Sequence, residues 1–471
     1  MNHQMRTELW QCSATDLAAK FQSDECSPIE VLESVLQRID KVNPRINAIV
    51  TLDIDGARTQ AKASGARWQR SEPLGPFDGV PITVKDNILV QGLRATWGSK
   101  LFADFVPSID ELPIARLRAG GALILGKTNC PEFTLQGYTD NLLFGPSRNP
   151  WNLGLTPGGS SGGAVAAVCS GLGPVAIGTD GGGSIRRPAS HTGLVGLKPS
   201  RGRVPRCDGF PAMLLDFEVI GPMTRTVADL AGVMRLITPP EHRDPLSAVF
   251  SDRPFEIPSA PTTRILYVAR FGSSPVDPEI LLSVATAARS LTDLGHVVVE
   301  GVAPFDIDSL AQPWSTISQV GLAWMLRSHS YRHEILTSAM AESAAKGAAA
   351  TAADYYSALE AVRVLKTNLF LFFDRYDLIM TPSAAALPWP AEEAYPRTIA
   401  NEEVGPRGHA IFTGFVNMAG CPGISIPAAP SAGGLPIGFQ LVAAPGRDDL
   451  LCAIAAQFES AHPWADRWPM L

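Results

Sequence analysis

The sequence predicts a layered α/β fold, and three observations carry that prediction. Short apolar runs such as Val80–Val84 and Ala122–Leu125 are bounded by glycine and proline, the pattern of strands buried on both faces. From Phe77 to about Thr226 such runs alternate with alanine-rich stretches and glycine-rich turns, as strands alternate with helices in α/β proteins. The chain is long and apolar, with 471 residues, 45% of them hydrophobic and 18% charged, so it can bury a large core.

The elements follow in order. Ser27-Pro28-Ile29-Glu30 is a capping box with proline at the first helical position. Val31, Leu32, Val35, Leu36 and Ile39 then recur at helical spacing, and the helix is predicted to stop near Asn43-Pro44. A segment rich in Ala, Arg and Gln from Asp55 to Arg70 predicts a second helix. Residues 235–262, rich in proline and charge, read as a surface connection; Arg264–Arg270 reads as a strand and Glu279–Leu294 as a helix. Residues 341–375 form the longest helical stretch, with Tyr355, Leu359, Val362, Leu365, Leu369 and Phe372 on one stripe. That stripe is expected to pack against other helices; the alternative is a helix that also walls the substrate cavity. Phe412–Gln457 returns to strand-and-turn texture. With no internal repeat and no obvious linker, residues 1–471 are expected to form one domain. Its parts are N-terminal helices over 1–70, a core over 77–230, a variable region over 235–400 and C-terminal strands and a helix over 405–471.

Composition narrows the function. A net charge of −7 argues against nucleic acid as a main partner, because phosphate binding needs a basic face. The seven cysteines are odd in number and show no Cys-x-x-Cys spacing, which fits free thiols in a reducing compartment. No basic segment followed by an apolar run opens the chain, and no run of 18 apolar residues occurs. A cytoplasmic protein without a membrane partner is expected.

Three motifs match well-known patterns without their physics. Gly121-Ala-Leu-Ile-Leu-Gly126-Lys127-Thr128 fits the P-loop pattern, but its spacers are an apolar strand and Asn129-Cys130-Pro131 cannot continue into a helix. Gly158-Gly-Ser160-Ser-Gly162 fits the nucleophile elbow, which needs a strand immediately before it; Asn149–Pro157 reads as a loop. His329 and His333 are four apart, yet the Glu of a zinc HExxH site is missing between them, so surface histidines are expected and no metal.

One constellation coheres. Val80-Pro-Ile-Thr-Val84 runs into Lys85-Asp86; Gly158-Gly159-Ser160-Ser161-Gly162-Gly163 follows; then comes Gly178-Thr179-Asp180-Gly181-Gly182-Gly183-Ser184-Ile185-Arg186. Amide cleavage needs an activated hydroxyl, aimed N–H donors for the oxyanion and a proton for the leaving amine. Glycines before Ser184 let the amides of residues 181–184 converge on a carbonyl oxygen. Lys85 can act as a base only when neutral, and burial lowers its pKa from about 10.4. Asp86 should point to the opposite side of the strand from Lys85. Ser160 can bridge Ser184 and Lys85, since a hydroxyl both donates and accepts.

The arrangement resembles the amidase signature family. The GGSSGG loop and the GTDGGGSIRRPAS segment match its signature, with Ser184 following Ser160 by 24 residues. The match extends through GLVGLKPSRGR at 193–203, GPMTRTVAD at 221–229, YDLIMTP at 376–382 and 412–442. The resemblance implies a single α/β/α domain around a large twisted mixed sheet, with no metal and no organic cofactor. It implies that Lys85 is the base, Ser160 a bridging serine on a cis peptide, Ser184 the acyl-enzyme nucleophile and Gly181, Gly182 and Gly183 the oxyanion hole. Relatives often carry Thr or Ile at position 181, so glycine there is expected to widen the pocket. Ser161, Asp180 and Arg186 are supporting residues, the last two bracing the loop. Thr134, Leu135, Gln136, Gly137, Gly158 and Gly159 are expected at the substrate. A hydrolase of small amides leads, with a homodimer as the family-level expectation; the amidase subunit of a tRNA-dependent amidotransferase is the alternative. The uncharged Thr134–Tyr138 and apolar Ser383–Pro390, with Trp389, favour an apolar or aromatic amide.

Overall fold

The computed structural model describes residues 8–329 and 335–471. Its first strands are β1 (Ile49–Leu52), β2 (Pro81–Lys85), β3 (Leu123–Thr128), β4 (Val175–Asp180), β5 (Val195–Lys198) and β6 (Val219–Thr224). Then come β7 (Arg264–Tyr267), β8 (Val297–Glu300), β9 (Leu378–Pro382), a short ribbon of β10 (Thr398–Ile399) and β11 (Glu402–Glu403), β12 (Gly423–Pro427) and β13 (Gly438–Ala443). Eleven of them form one sheet in the order β1-β3-β2-β4-β6-β5-β12-β13-β9-β7-β8. The sheet is mixed: β2 runs parallel to β3 and β4, and β7 to β8 and β9, while the centre from β4 through β6, β5, β12 and β13 is antiparallel. Strands β2 to β6, β9, β12 and β13 are buried at every residue, which explains their unbroken apolar runs. This is the α/β/α architecture.

Helices cover the sheet. The N-terminal ones are α1 (Ala14–Gln22), α2 (Pro28–Ile46), α3 (Ile54–Gln69) and α4 (Leu112–Ala119). α5 (Gly162–Cys169) and α6 (Arg186–Thr192) pack on each other, as do α7 (Val227–Ile237) and the final helix; between them in sequence lie α8 (Pro278–Asp293), α9 (Asp308–Leu326), α10 (Ser338–Ala349), α11 (Ala352–Phe373) and α12 (Gly414–Ala419), before α13 (Asp448–Ala461). No helix among the described residues is long and apolar enough to cross a membrane.

The expected capping box forms: Ser27 Oγ accepts from the Glu30 amide and the Glu30 carboxylate accepts from the Ser27 amide at 2.8 Å. α2 does not stop at Asn43-Pro44 but runs to Ile46 with Pro44 in its last turn. The Asn43 side chain caps that end by accepting from Ala48 and Ile49, and Asn47 leaves the helix in the left-handed region. The single stretch expected over 341–375 is two helices. Thr351 and Asp354 form a second capping box that starts α11 afresh. Residues 308–326, unassigned from sequence, form α9 against α10 and α11. The 235–262 connection is less superficial than its composition implies, because Phe250 and Phe255 are buried under the Arg203 guanidinium.

Candidate active site

Lys85 is the last residue of β2, at the junction of the two parallel pairs of the sheet. Strand alternation sends its side chain and that of Asp86 to opposite sides. Asp86 accepts from the Thr96 amide at 3.1 Å and lies 3.5 Å from Lys127 Nζ, which also donates to the Ile88 carbonyl at 2.7 Å. The lysine of the P-loop match is therefore a buried structural cation on β3. Lys85 is fully buried, and its Nζ lies 2.8 Å from Ser160 Oγ and 3.0 Å from Thr179 Oγ1. Burial pushes its pKa down to about 8, against a smaller upward pull from nearby acidic groups including Glu218 and Asp180. No carboxylate forms an ion pair with it among the described residues.

Ser160 lies on the loop that enters α5, and the Gly159–Ser160 peptide is cis. Asn149–Pro157 contains none of the sheet strands, so the elbow geometry is absent. Thr139 Oγ1 donates to the Gly158 carbonyl at 2.9 Å and accepts from the Gly162 amide at 3.1 Å, fixing the loop. Ser161 ties the two serine loops together: its amide donates to the Ser184 carbonyl at 3.2 Å and its hydroxyl to the Thr179 carbonyl at 3.3 Å.

Ser184 lies in the turn between β4 and α6, and that turn is built around Asp180. Its carboxylate accepts from the Gly183 amide at 2.6 Å, the Ile185 amide at 3.0 Å and the Arg186 guanidinium at 2.9 Å. Burial alone would raise the Asp180 pKa; Arg186 and these amides hold it well below the usual carboxylate range. Asn417 donates to the Asp180 carbonyl at 2.7 Å, and Gln440 accepts from Arg186 at 2.6 Å. The expected oxyanion hole is corrected at one residue. The Gly183 N–H is committed to Asp180, so it is not free for an oxyanion; the amides of Gly181, Gly182 and Ser184 carry no hydrogen bond among the described residues. Gly183 has φ +115°, and a Cβ there would sit 2.2 Å from Thr413 Oγ1, so both conformation and space demand glycine.

Ser184 opens onto a cavity of about 280 Å³. Thr134, Leu135, Gln136 and Gly137 line it with Gly181 and Gly182, as does Arg187 of α6. α9 contributes Trp314, Ser318 and Gln319, α10 contributes Met340, and the segment before α12 contributes Tyr395 and Arg407. The structure differs from expectation at three places. Gly158 and Gly159 do not line the cavity; they back against His191 and Pro188 and against the Tyr138 backbone. Trp389 stacks on His409 at 4.6 Å, behind the wall. Gly181 does not widen the pocket, because a Cβ there would lie 2.5 Å from Leu214 Cδ1, which already fills the space. The α11 stripe packs against other helices as expected, and it is α9 and α10 that form the wall. His329 Nδ1 lies 3.2 Å from the Met325 carbonyl, and His333 lies outside the described residues. Among the described residues no three His, Cys, Asp or Glu side chains are grouped to hold a metal.

The family model described as Amidase matches residues 30–452. The chain belongs to the amidase signature family. It is 36% identical over 464 residues to an acylamidase of Rhodococcus erythropolis, with 97% of each chain covered. It is also 33% identical over 493 residues to a glutamyl-tRNA(Gln) amidotransferase subunit of Moorella thermoacetica, covering 98% of this chain and 99% of that one. Among solved structures, a 6-aminohexanoate cyclic dimer hydrolase superimposes with TM-score 0.89 at 31% identity, over 98% of this chain and 99% of that one. A bacterial aryl acylamidase of the same family gives 0.88 at 30% identity, over 97% of each. Membership makes this chain a hydrolase of amide C–N bonds. Several residues around Ser184 escaped sequence reasoning: Thr179, Asn87, Arg187, Thr413, Asn417 and Gln440. All but Asn87 lie inside the matching segments, but their roles depend on contacts across the fold.

Proposed function

We propose that this chain hydrolyses a small carboxylic amide with an apolar or aromatic part, releasing acid plus ammonia or amine through an acyl-enzyme on Ser184. What carries the reading is the 2.8 Å contact between Ser160 and a fully buried Lys85, beside a turn that presents Ser184 to a cavity. Neutral Lys85 takes the proton of Ser160, which takes that of Ser184 as Ser184 Oγ attacks the carbonyl carbon. The oxyanion is held by the free amides of Gly181, Gly182 and Ser184. The C–N bond breaks as the proton returns through Ser160 to the amine, and water then cleaves the ester on Ser184 by the same relay. Leu135, Leu214, Trp314, Met340 and Tyr395 supply the apolar wall.

The test is a screen of aryl, alkyl and amino-acid amides read by released ammonia or amine. The wild-type protein turns over at least one class, and Ser184→Ala lowers kcat by at least about 10⁴-fold while folding normally. Turnover retained in folded Ser184→Ala would overturn the mechanism. The amidotransferase reading is favoured by the relatives that carry that name. It needs a carboxylate for the ammonium of glutamine, and Glu218, the acid on the cavity wall, is already held by Arg206 at 2.8 Å. Labelling by a glutamine analogue, together with tRNA-dependent ammonia transfer in the presence of a second protein, would reverse this preference.

A further inference from the structure

Two guanidinium groups, those of Arg187 and Arg407, line the Ser184 cavity, and neither meets a carboxylate among the described residues. Arg187 spends its donors on neutral oxygens: Nη1 reaches the Gly182 carbonyl and Thr413 Oγ1, the latter at 2.8 Å, and Nη2 the Gly159 carbonyl at 3.4 Å. Its Nε is buried without a partner. Arg407 lies with its guanidinium 3.9 Å from the Trp314 ring centre and makes no hydrogen bond or ion pair with any described residue. The acid on the same wall, Glu218, is held at 2.8 Å by Arg206, which it shares with Glu111 at 2.8 Å. Among the described residues the cavity wall therefore carries two guanidinium groups that no carboxylate pairs, and one carboxylate, Glu218, that is already held by Arg206.

The buried cations Arg186 and Lys127 each face a carboxylate, Asp180 and Asp86, and Lys198 and Arg225, which do not, donate to backbone carbonyls; Arg407 has neither among the described residues. Arg407 is half-buried and its pKa is pushed down to about 10, while deeper burial together with the Arg407 charge pushes Arg187 down to about 9. Charges taken from water without a counter-ion are costly, and like charges sharing a cavity raise that cost. An incoming anion removes it. Trp314 is itself fixed, since its Nε1 donates to the Gly181 carbonyl at 3.1 Å, so the guanidinium resting on it is held on a rigid plate next to the Ser184 turn. A planar guanidinium fork matches a carboxylate in two parallel hydrogen bonds.

We propose that Arg407, supported by Arg187, forms an anion subsite, and that the preferred substrate is an amide bearing a carboxylate remote from the scissile C–N bond. The inference rests on the reading of Ser184 as the amide-cleaving nucleophile. The apolar wall takes the hydrocarbon between amide and carboxylate.

Two matched pairs test it. N-succinyl-4-nitroaniline against N-butyryl-4-nitroaniline places the carboxylate on the acyl side; N-acetyl-4-aminobenzoate against its methyl ester places it on the amine side. In at least one pair the wild-type kcat/KM favours the carboxylate member by about 10–100-fold, the range of a hydrogen bond to a charged group. Arg407→Gln brings that ratio close to one, mainly through KM, and Arg407→Lys restores part of it. Wild-type turnover without carboxylate preference in either pair, or a preference unchanged in Arg407→Gln, overturns the subsite and leaves amide hydrolysis standing. If no amide is turned over, the functional reading falls, and calorimetry decides the subsite separately. Glutarate monoamide must then bind Ser184→Ala and lose at least tenfold affinity when Arg407→Gln is added; absence of that loss overturns it.

Discussion

Lys85 is the residue on which the proposed chemistry turns, because a lysine can take a proton only where its charge is disfavoured. Its pKa near 8 comes mainly from burial. The active form is the neutral one, so kcat/KM should rise with pH and level off above about 8; a profile flat from pH 6 to 10 would remove Lys85 from the role of base. Thr179 contacts the same group. Its hydroxyl lies 3.0 Å from Lys85 Nζ and 3.0 Å from Asn87 Nδ2, and an acceptor beside Nζ favours the ammonium. Thr179→Val removes that acceptor, lowering the Lys85 pKa and moving the rising limb to lower pH by on the order of one unit. A shift to higher pH, or none, would separate Thr179 from the titration. Of the proposed site, Lys85, Ser160 and Ser184 were legible in the sequence, since the three motifs that hold them occur together and in the order the family resemblance requires. The sequence does not show Thr179 as a partner of Lys85, because a threonine in a buried strand reads the same whether or not its hydroxyl is used.

At the scale of elements, the β4–α6 turn decides where Ser184 sits, and the Asp180–Arg186 pair decides the turn. Both side chains are fully buried, and the carboxylate accepts from two amides as well as from the guanidinium. Removing one partner leaves an uncompensated buried charge, a loss of about 3–5 kcal/mol. Arg186→Met should therefore unfold at markedly lower denaturant and lose most turnover; stability within about 1 kcal/mol of wild type would show that the pair does not brace the turn. Elements with strong local signals were legible. The Ser27 capping box and the apolar runs of β2 and β3 needed no tertiary information. The break between α10 and α11 was written in Thr351-x-x-Asp354, but the alanine-rich sequence on both sides masks it, because alanine favours helix wherever it stands. α2 runs past Pro44 to Ile46, and Asn43 closes that end by accepting from the Ala48 and Ile49 amides just beyond it.

At the scale of the whole molecule, the site is assembled from distant parts of the chain across one continuous sheet. Lys85 comes from β2 and Ser184 from the turn after β4, whereas Asn417 and Gln440, which hold the Asp180–Arg186 pair of that turn, come from the C-terminal third. The cavity wall was the least legible part, since α9, α10 and Arg407 reach Ser184 only through the order of strands β5, β12, β13 and β9, which no local pattern encodes. Asn417 shows what this assembly does. Its amide donates to the Asp180 carbonyl at 2.7 Å, the Asp180 carboxylate at 3.0 Å and the Phe217 carbonyl at 3.1 Å, and its oxygen accepts from Arg186 at 2.5 Å. It touches neither Lys85 nor the cavity, so it acts through the position of the turn. Asn417→Ala leaves buried polar groups unpaired at a loss of about 1–3 kcal/mol. Because the Gly181, Gly182 and Ser184 amides would no longer be held on a rigid arc, kcat should fall by at least tenfold while KM changes by less than about threefold, the pattern of an interaction realised in the transition state. A rise in KM at constant kcat would instead place Asn417 on the route of substrate binding. Unchanged kinetics in a destabilised variant would reduce it to a packing contact.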